Sequence, residues 1–177
     1  EALAQSARLV HAAKGETLLR AGEEAKALYF LQSGLIRYFY IDAASGSERT
    51  GQFFEAGQVF TDARSFLTGE PATQTIEALE PSAIITLPRV ALYEACDKDH
   101  AIERFCRLLA EEALAGSQLR TARMLLLSPD ERYRLFIASR RALAERLPQY
   151  LIASYLGITP EALSRIRARG VAKKPIA

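Results

Sequence analysis

The sequence predicts an α+β chain with a β-rich first half, one long helix and a short all-helical end. Three observations predict it. Glycines recur at positions 15, 22, 34, 46, 57 and 69, at gaps of 7, 12, 12, 11 and 12 residues, and mark the corners between short strands. An apolar stripe at helical spacing then runs over residues 100–126. Residues 149–168, QYLIASYLGITPEALSRIRA, read as a helix, a tight turn and a second helix.

Between the glycines, β-rich stretches predict strands over 16–19, 28–32, 35–41, 50–54, 73–78 and 83–87, the regular spacing of an all-β sandwich or barrel. A short helix follows around 92–95. Asp99 can cap the long helix, whose stripe comprises Ile102, Phe105, Leu108, Leu109, Leu119, Ala122 and Leu126. Ser128-Pro129-Asp130-Glu131 is a capping box that opens the next helix, expected to end near Leu143, so a hinge is expected at Leu127–Ser128.

In the terminal pair, Ile152, Ala153 and Leu156 share one face of the first helix, which Gly157 ends. Ile158 plugs the junction, Thr159 is the N-cap and Pro160 takes the first helical position. Leu163 and Ile166 point inward. Glu161, Ser164 and Arg165 lie on another face, free to touch something.

Composition narrows the class. No apolar run approaches the ~18 residues that span a membrane, so no membrane partner is expected. No secretory signal is visible, and a cytoplasmic location is expected. The chain opens on Glu1 without Met, which suggests an incomplete N-terminus. Cys96 and Cys106, ten apart on helices, do not have metal-ligand spacing and read as buried thiols. Residues 1–119 carry 11 basic and 17 acidic side chains; residues 120–177 carry 12 basic and 4 acidic. An acidic body with a basic end is the electrostatic pattern of a nucleic-acid-binding terminus.

The 149–168 pattern resembles a DNA-binding helix-turn-helix, and the bland alternative is an αα-corner packed for stability. The run KGETLLRAGEEAKALYFLQSGLIRYFYIDAASGSERTGQFFEAGQVF, continued by SFLTGEPATQTIEALEPSAIITLPR, resembles the β-roll of the Crp/Fnr family of bacterial transcription regulators. With the helix-turn-helix behind it, the resemblance covers nearly the whole chain.

The resemblance implies a cyclic-nucleotide-binding-like antiparallel β-roll (jelly-roll type) over 1–99, a dimerisation helix over 100–127 and a helix-turn-helix domain over 128–177. Ile102, Phe105, Leu109, Leu119 and Leu126 would then face the twofold mate. Thr159, Glu161, Ser164, Arg165, Arg167 and Arg169 would contact double-stranded DNA. Of these, Glu161 would accept from a base amino group and Arg165 would reach guanine or phosphate, with Ser164 adding a base or backbone contact. Thr159 would bond a phosphate, while Arg167 and Arg169 would add non-specific affinity. RNA polymerase is a further candidate partner. Only residues 170–177 follow, too short for the family's hairpin wing, so Lys173 and Lys174 are expected to substitute for it.

The resemblance fails at one segment. Cyclic-AMP-binding members supply a Gly-Glu pair and, about ten residues on, an Arg-Ser pair that neutralises the phosphate. Here Thr61 stands for the glycine and Asp62 for the acid, while the arginine position falls at Ala72–Thr73; no Arg or Lys occurs between Arg64 and Arg89. Thr61, Asp62, Arg64 and Thr73 are therefore the ligand-pocket candidates. Arg64 is either a substitute anion ligand or an exposed side chain in an Asp-Ala-Arg-Ser turn. Cyclic AMP is not expected to bind in the usual way, because its buried charge would lack a cationic partner.

Iron–sulfur sensing needs four cysteines, and His11 and His100 lie outside the central roll, so no cofactor or metal is assigned and an unidentified small-molecule effector stays open. No catalytic set stands out, and two distant histidines do not make a cupin metal site, so an enzyme is not expected. A signalling module acting through protein contacts is the remaining alternative.

Overall fold

The computed structural model describes residues 2–170. They fall into two compact units that part between Leu109 and Ala110, inside the long helix.

The first unit opens with helix α1 (Ala2–Ser6), followed by strands β1 (Arg8–Ala12), β2 (Thr17–Leu19), β3 (Ala27–Ser33), β4 (Leu35–Ile41), β5 (Glu48–Glu55) and β6 (Val59–Phe60). Helix α2 (Ala63–Thr68), strands β7 (Thr75–Ala78) and β8 (Ser82–Pro88) and helix α3 (Arg89–Lys98) complete it, with the start of α4 (His100–Leu126). The strands form two four-stranded antiparallel sheets, ordered β1-β8-β3-β6 and β2-β7-β4-β5. Their interior faces bury Leu31, Ile36, Phe60, Ile76 and Ile84 in one cluster, on which Tyr29, Tyr38 and Phe54 pack. Phe60 stacks between Tyr29 and Phe54, each ring centroid 5.2 Å away. Burial pushes the Tyr29 phenol above its usual pKa, with Glu23 adding to the shift.

The predicted strands all exist, within two residues at each end. The six spaced glycines all have positive φ, the conformation their corners need. Gly34 (φ 106°) has a second constraint, since a Cβ there would run into Ser82. That serine's hydroxyl accepts from the Leu35 N–H at 3.3 Å and donates to the Glu80 carbonyl at 2.8 Å, which fixes the β3–β4 corner.

Helix α1, β1 and β6 escaped the sequence pattern. β1 is exposed at its first four residues and shows no alternation, and β6 has only two residues. One consequence is a correction: His11 lies within the roll, on β1 opposite Ala83, where it is exposed. His100 is also at the surface, 3.4 Å from Glu103. The short helix expected at 92–95 extends over the whole of α3.

Asp99 ends α3 and starts α4: its carboxylate accepts from the Ala101 N–H at 2.8 Å. Along α4 the predicted stripe divides. Ile102 and Cys106 pack on the roll core, and Leu109 is half-buried. Phe105, Leu108, Leu119 and Leu126 are exposed.

The second unit holds the rest of α4 with α5 (Pro129–Ser139), α6 (Arg141–Arg146), α7 (Gln149–Leu156) and α8 (Pro160–Ala168). Both halves of the Ser128–Glu131 capping box are made, which draws the Glu131 carboxyl below its usual pKa. The helix it opens does not run to Leu143, as expected. It stops at Ser139, and Arg140 leaves the helical region (φ −140°, ψ 45°). The Ser139 hydroxyl donates back to the Leu135 carbonyl at 2.7 Å, within the last helical turn. Leu143 is instead buried from the separate helix α6.

No helix among the described residues is long and apolar enough to cross a membrane. The tail expectation for Lys173 and Lys174 lies outside the described residues.

Candidate nucleic-acid interface

Helices α7 and α8 form as their sequence demands. Leu151, Ile152, Ala153 and Leu156 bury one side of α7. Gly157 caps it in the left-handed region (φ 67°), and its N–H bonds the last turn's carbonyls. The Thr159 hydroxyl accepts from the Ala162 N–H at 3.2 Å, Pro160 occupies the first turn, and Leu163 and Ile166 point into the core. Full burial of each of these two is worth about 2 kcal/mol, enough to hold a nine-residue helix that would not form alone.

That anchoring leaves Thr159, Glu161, Ser164, Arg165 and Arg167 exposed along the outer face of α8. Glu161 and Arg165 stand one turn apart. The Glu161 carboxylate sits at the helix start, where its own backbone N–H and the Thr159 hydroxyl hold it below its usual pKa, with Arg165 helping less. The capping role and an outward role therefore belong to the same exposed carboxylate. Arg169 is placed differently. Its Nη2 donates to Asp130 Oδ1 at 2.7 Å, tying the end of α8 to the start of α5.

Sequence spacing did not single out the arginines that gather elsewhere in this unit. A cavity of about 90 Å³ is lined by Arg120, Arg123, Arg132 and Arg140, and by no carboxylate. Arg120 stacks 4.0 Å over the Tyr155 ring and donates to the Tyr155 carbonyl at 2.9 Å. Arg132 donates to the Met124 carbonyl at 3.0 Å, in the last turn of α4. The basic count of residues 120–177 was the only sequence signal for this cluster.

In the roll, the ligand-pocket candidates do come together, but their polar atoms serve the fold. Asp62–Ser65 is the first turn of α2 and not an isolated turn, because Asp62 caps it. Asp62 is only 2% exposed. Its Oδ1 accepts from the Ser65 N–H at 2.9 Å and its Oδ2 from the Thr73 N–H at 3.2 Å. The Thr61 hydroxyl donates to the Ala27 carbonyl at 2.9 Å. Arg64 is exposed and paired with Glu70.

A nearby cation the sequence left aside, Arg89, is engaged too, with the Phe66 carbonyl at 3.0 Å and Glu24 at 2.5 Å. Also unforeseen was Arg37, buried at 4% exposure and ion-paired with Glu48 and Glu77. No cluster of three or more His, Cys, Asp or Glu able to hold a metal occurs among the described residues.

Comparison with known proteins agrees with this architecture. The cyclic nucleotide-binding domain family matches residues 9–99. The fumarate and nitrate reduction regulatory protein of Vibrio cholerae is 30% identical over 172 residues, covering 88% of this chain and 66% of that protein. The Escherichia coli protein of the same name is 29% identical over 171 residues, with the same coverage. The chain thus spans just under two thirds of the length of these curated relatives.

Among solved structures, FixK2 from Bradyrhizobium japonicum superposes with a TM-score of 0.79 at 21% identity, covering 92% of this chain and 83% of that one. A regulator assigned to the Crp/Fnr family from Eubacterium rectale gives 0.78 at 16%, covering 96% and 81%. At such identities the likeness speaks for the fold. With a matched cyclic nucleotide-binding domain, this two-sheet roll, long helix and helical end, the chain belongs to the Crp/Fnr family of regulators.

Proposed function

We propose that the chain is a DNA-binding transcription regulator of the cytoplasm that acts as a homodimer and is not an enzyme. Residues 1–99 form its sensor, 100–127 its dimerisation helix and 128–177 its reading domain. The observation that carries the proposal is α8: its apolar side is buried, and Glu161, Ser164 and Arg165 stand exposed together on its outer side. A helix so presented meets the width of the major groove, where Arg165 can donate to guanine or phosphate and Glu161 can accept from a base amino group. Thr159, with Arg167, supplies phosphate contacts; Arg169 supplies one only by exchanging Asp130 for phosphate. Phe105, Leu108, Leu119 and Leu126 supply the exposed apolar surface that a helix mate would cover. RNA polymerase would be the partner of the DNA-bound form.

Selection of bound sites from random duplex DNA with purified protein tests this reading. A twofold-symmetric motif is expected, with half-sites about one helical turn apart. Absence of enrichment would overturn it in favour of a module that signals through protein contacts.

The sensor does not take cyclic AMP in the usual way. Asp62 and Thr61 are occupied by backbone, and Arg64 and Arg89 by carboxylates. A titration calorimetry experiment with cyclic AMP should give no saturable heat, and low-micromolar binding would refute the statement. A regulator gated by an unidentified small molecule stays the alternative reading.

A further inference from the structure

Cys96 and Cys106 are the chain's two cysteines, and neither serves the roles described above. The sequence suggested buried thiols. The structure shows them half-buried and in contact, with Cys96 Sγ 3.7 Å from Cys106 Sγ. The arrangement follows from the turn at Asp99, which folds the end of α3 against the start of α4. Cys106 lies on the same side of α4 as Ile102, and Cys96, Ile102 and Cys106 all pack against the roll core. Both thiols therefore sit on anchored helices.

We propose that Cys96 and Cys106 form a thiol–disulfide exchange site that reacts with low-molecular-weight disulfides such as glutathione disulfide. A disulfide needs its sulfurs at about 2.05 Å, so the pair must close by under 2 Å, a distance that side-chain rotation can supply. The two residues are ten apart, so the ring formed is small.

The step balances without a further reactant. The Cys96 thiolate attacks one sulfur of the small disulfide, breaks its S–S bond and releases one thiolate, which takes up a proton. The Cys106 sulfur loses its proton to solvent and attacks Cys96 Sγ, expelling the second small thiol. Two protein thiols become one disulfide, and one small disulfide is reduced to two thiols. The Cys106 thiol is pushed up to about 11, first by burial and then by its hydrogen bond with Cys96. The product ties α3 to α4 beside the roll and leaves Phe105 and Leu108, which are exposed, uncovered.

The test is intact mass measurement of the reduced, purified full chain after incubation with glutathione disulfide, acid quenching and alkylation with N-ethylmaleimide. The expected product is a monomer lighter by two hydrogens that takes up no maleimide. Its thermal midpoint should exceed that of the reduced form by several degrees, from restriction of the unfolded chain. In Cys106→Ser, a glutathione adduct should accumulate on Cys96, because no second thiol resolves it. Uptake of two maleimides by the treated native chain would overturn the proposal. So would a disulfide that joins two chains, or a stable glutathione adduct on the native chain.

Discussion

Helices α2 and α8 each begin with a side-chain oxygen accepting from the backbone N–H three residues on, Asp62 from Ser65 and Thr159 from Ala162. Beyond that shared device they diverge. In α2 two polar groups turn inward: Asp62 is 2% exposed and holds a second N–H, that of Thr73, while the buried Ser65 hydroxyl accepts from the Ala25 N–H at 2.8 Å. In α8 the apolar residues turn inward, and Glu161, Ser164 and Arg165 face out. The same cap therefore closes one segment to a ligand and leaves the other open. What decides is whether the remaining polar atoms are spent on backbone, and a motif cannot report that.

Substitutions can break the comparison. The largest effect is expected at Asp62→Ala, which removes the cap and leaves the Ser65 and Thr73 N–H groups unsatisfied, at a cost of about 3 kcal/mol. Urea unfolding should read this directly. A loss below about 1 kcal/mol would mean that Asp62 is not structural and would reopen the pocket. Next comes Arg165→Ala. Specific DNA affinity should fall by roughly 2 kcal/mol, about 30-fold, while salt-sensitive binding remains and the urea midpoint stays put. Gel shifts against specific and random competitor at one salt concentration check it, and unchanged discrimination would contradict a reading role.

Thr159→Ala should cost about 1 kcal/mol, since its cap is exposed and water can take its place. A loss equal to that of Asp62→Ala would erase the distinction between the two helices. The smallest effect is a pH dependence. Glu131 and Glu161 have folded-state pKa values below the ordinary range, so their stabilisation is complete above that range and is lost as pH falls through the folded values. The urea midpoint should decline between about pH 5 and about pH 3, and Glu161→Gln should remove part of the decline. A slope unchanged in that variant would show that the helix start does not hold the carboxylate.

Much of this was legible in the order of residues. The glycine period located the roll's corners because each corner needs positive φ, and that requirement is local. Gly157, Thr159 and Pro160 marked the α7–α8 turn for the same reason. The capping box at Ser128 placed the start of α5, whereas its end was missed, since no glycine or proline marks the break at Arg140. Arg37 gave no signal either: its two carboxylates come from β5 and β7, and only the sheet order β7-β4-β5 brings them beside it.

The sequence by itself determined the class of the chain, its capped turns and the outward set Glu161, Ser164 and Arg165, because φ, helical period and capping act within a few residues. Only the tertiary structure decided which polar groups were already spent. Asp62, Arg64 and Arg169 read as candidate ligands or surface charges, and Arg89 drew no reading, until their partners, up to 65 positions away, come into reach. The meeting of Cys96 and Cys106 belongs to the same class, since it depends on how one helix folds back on the next.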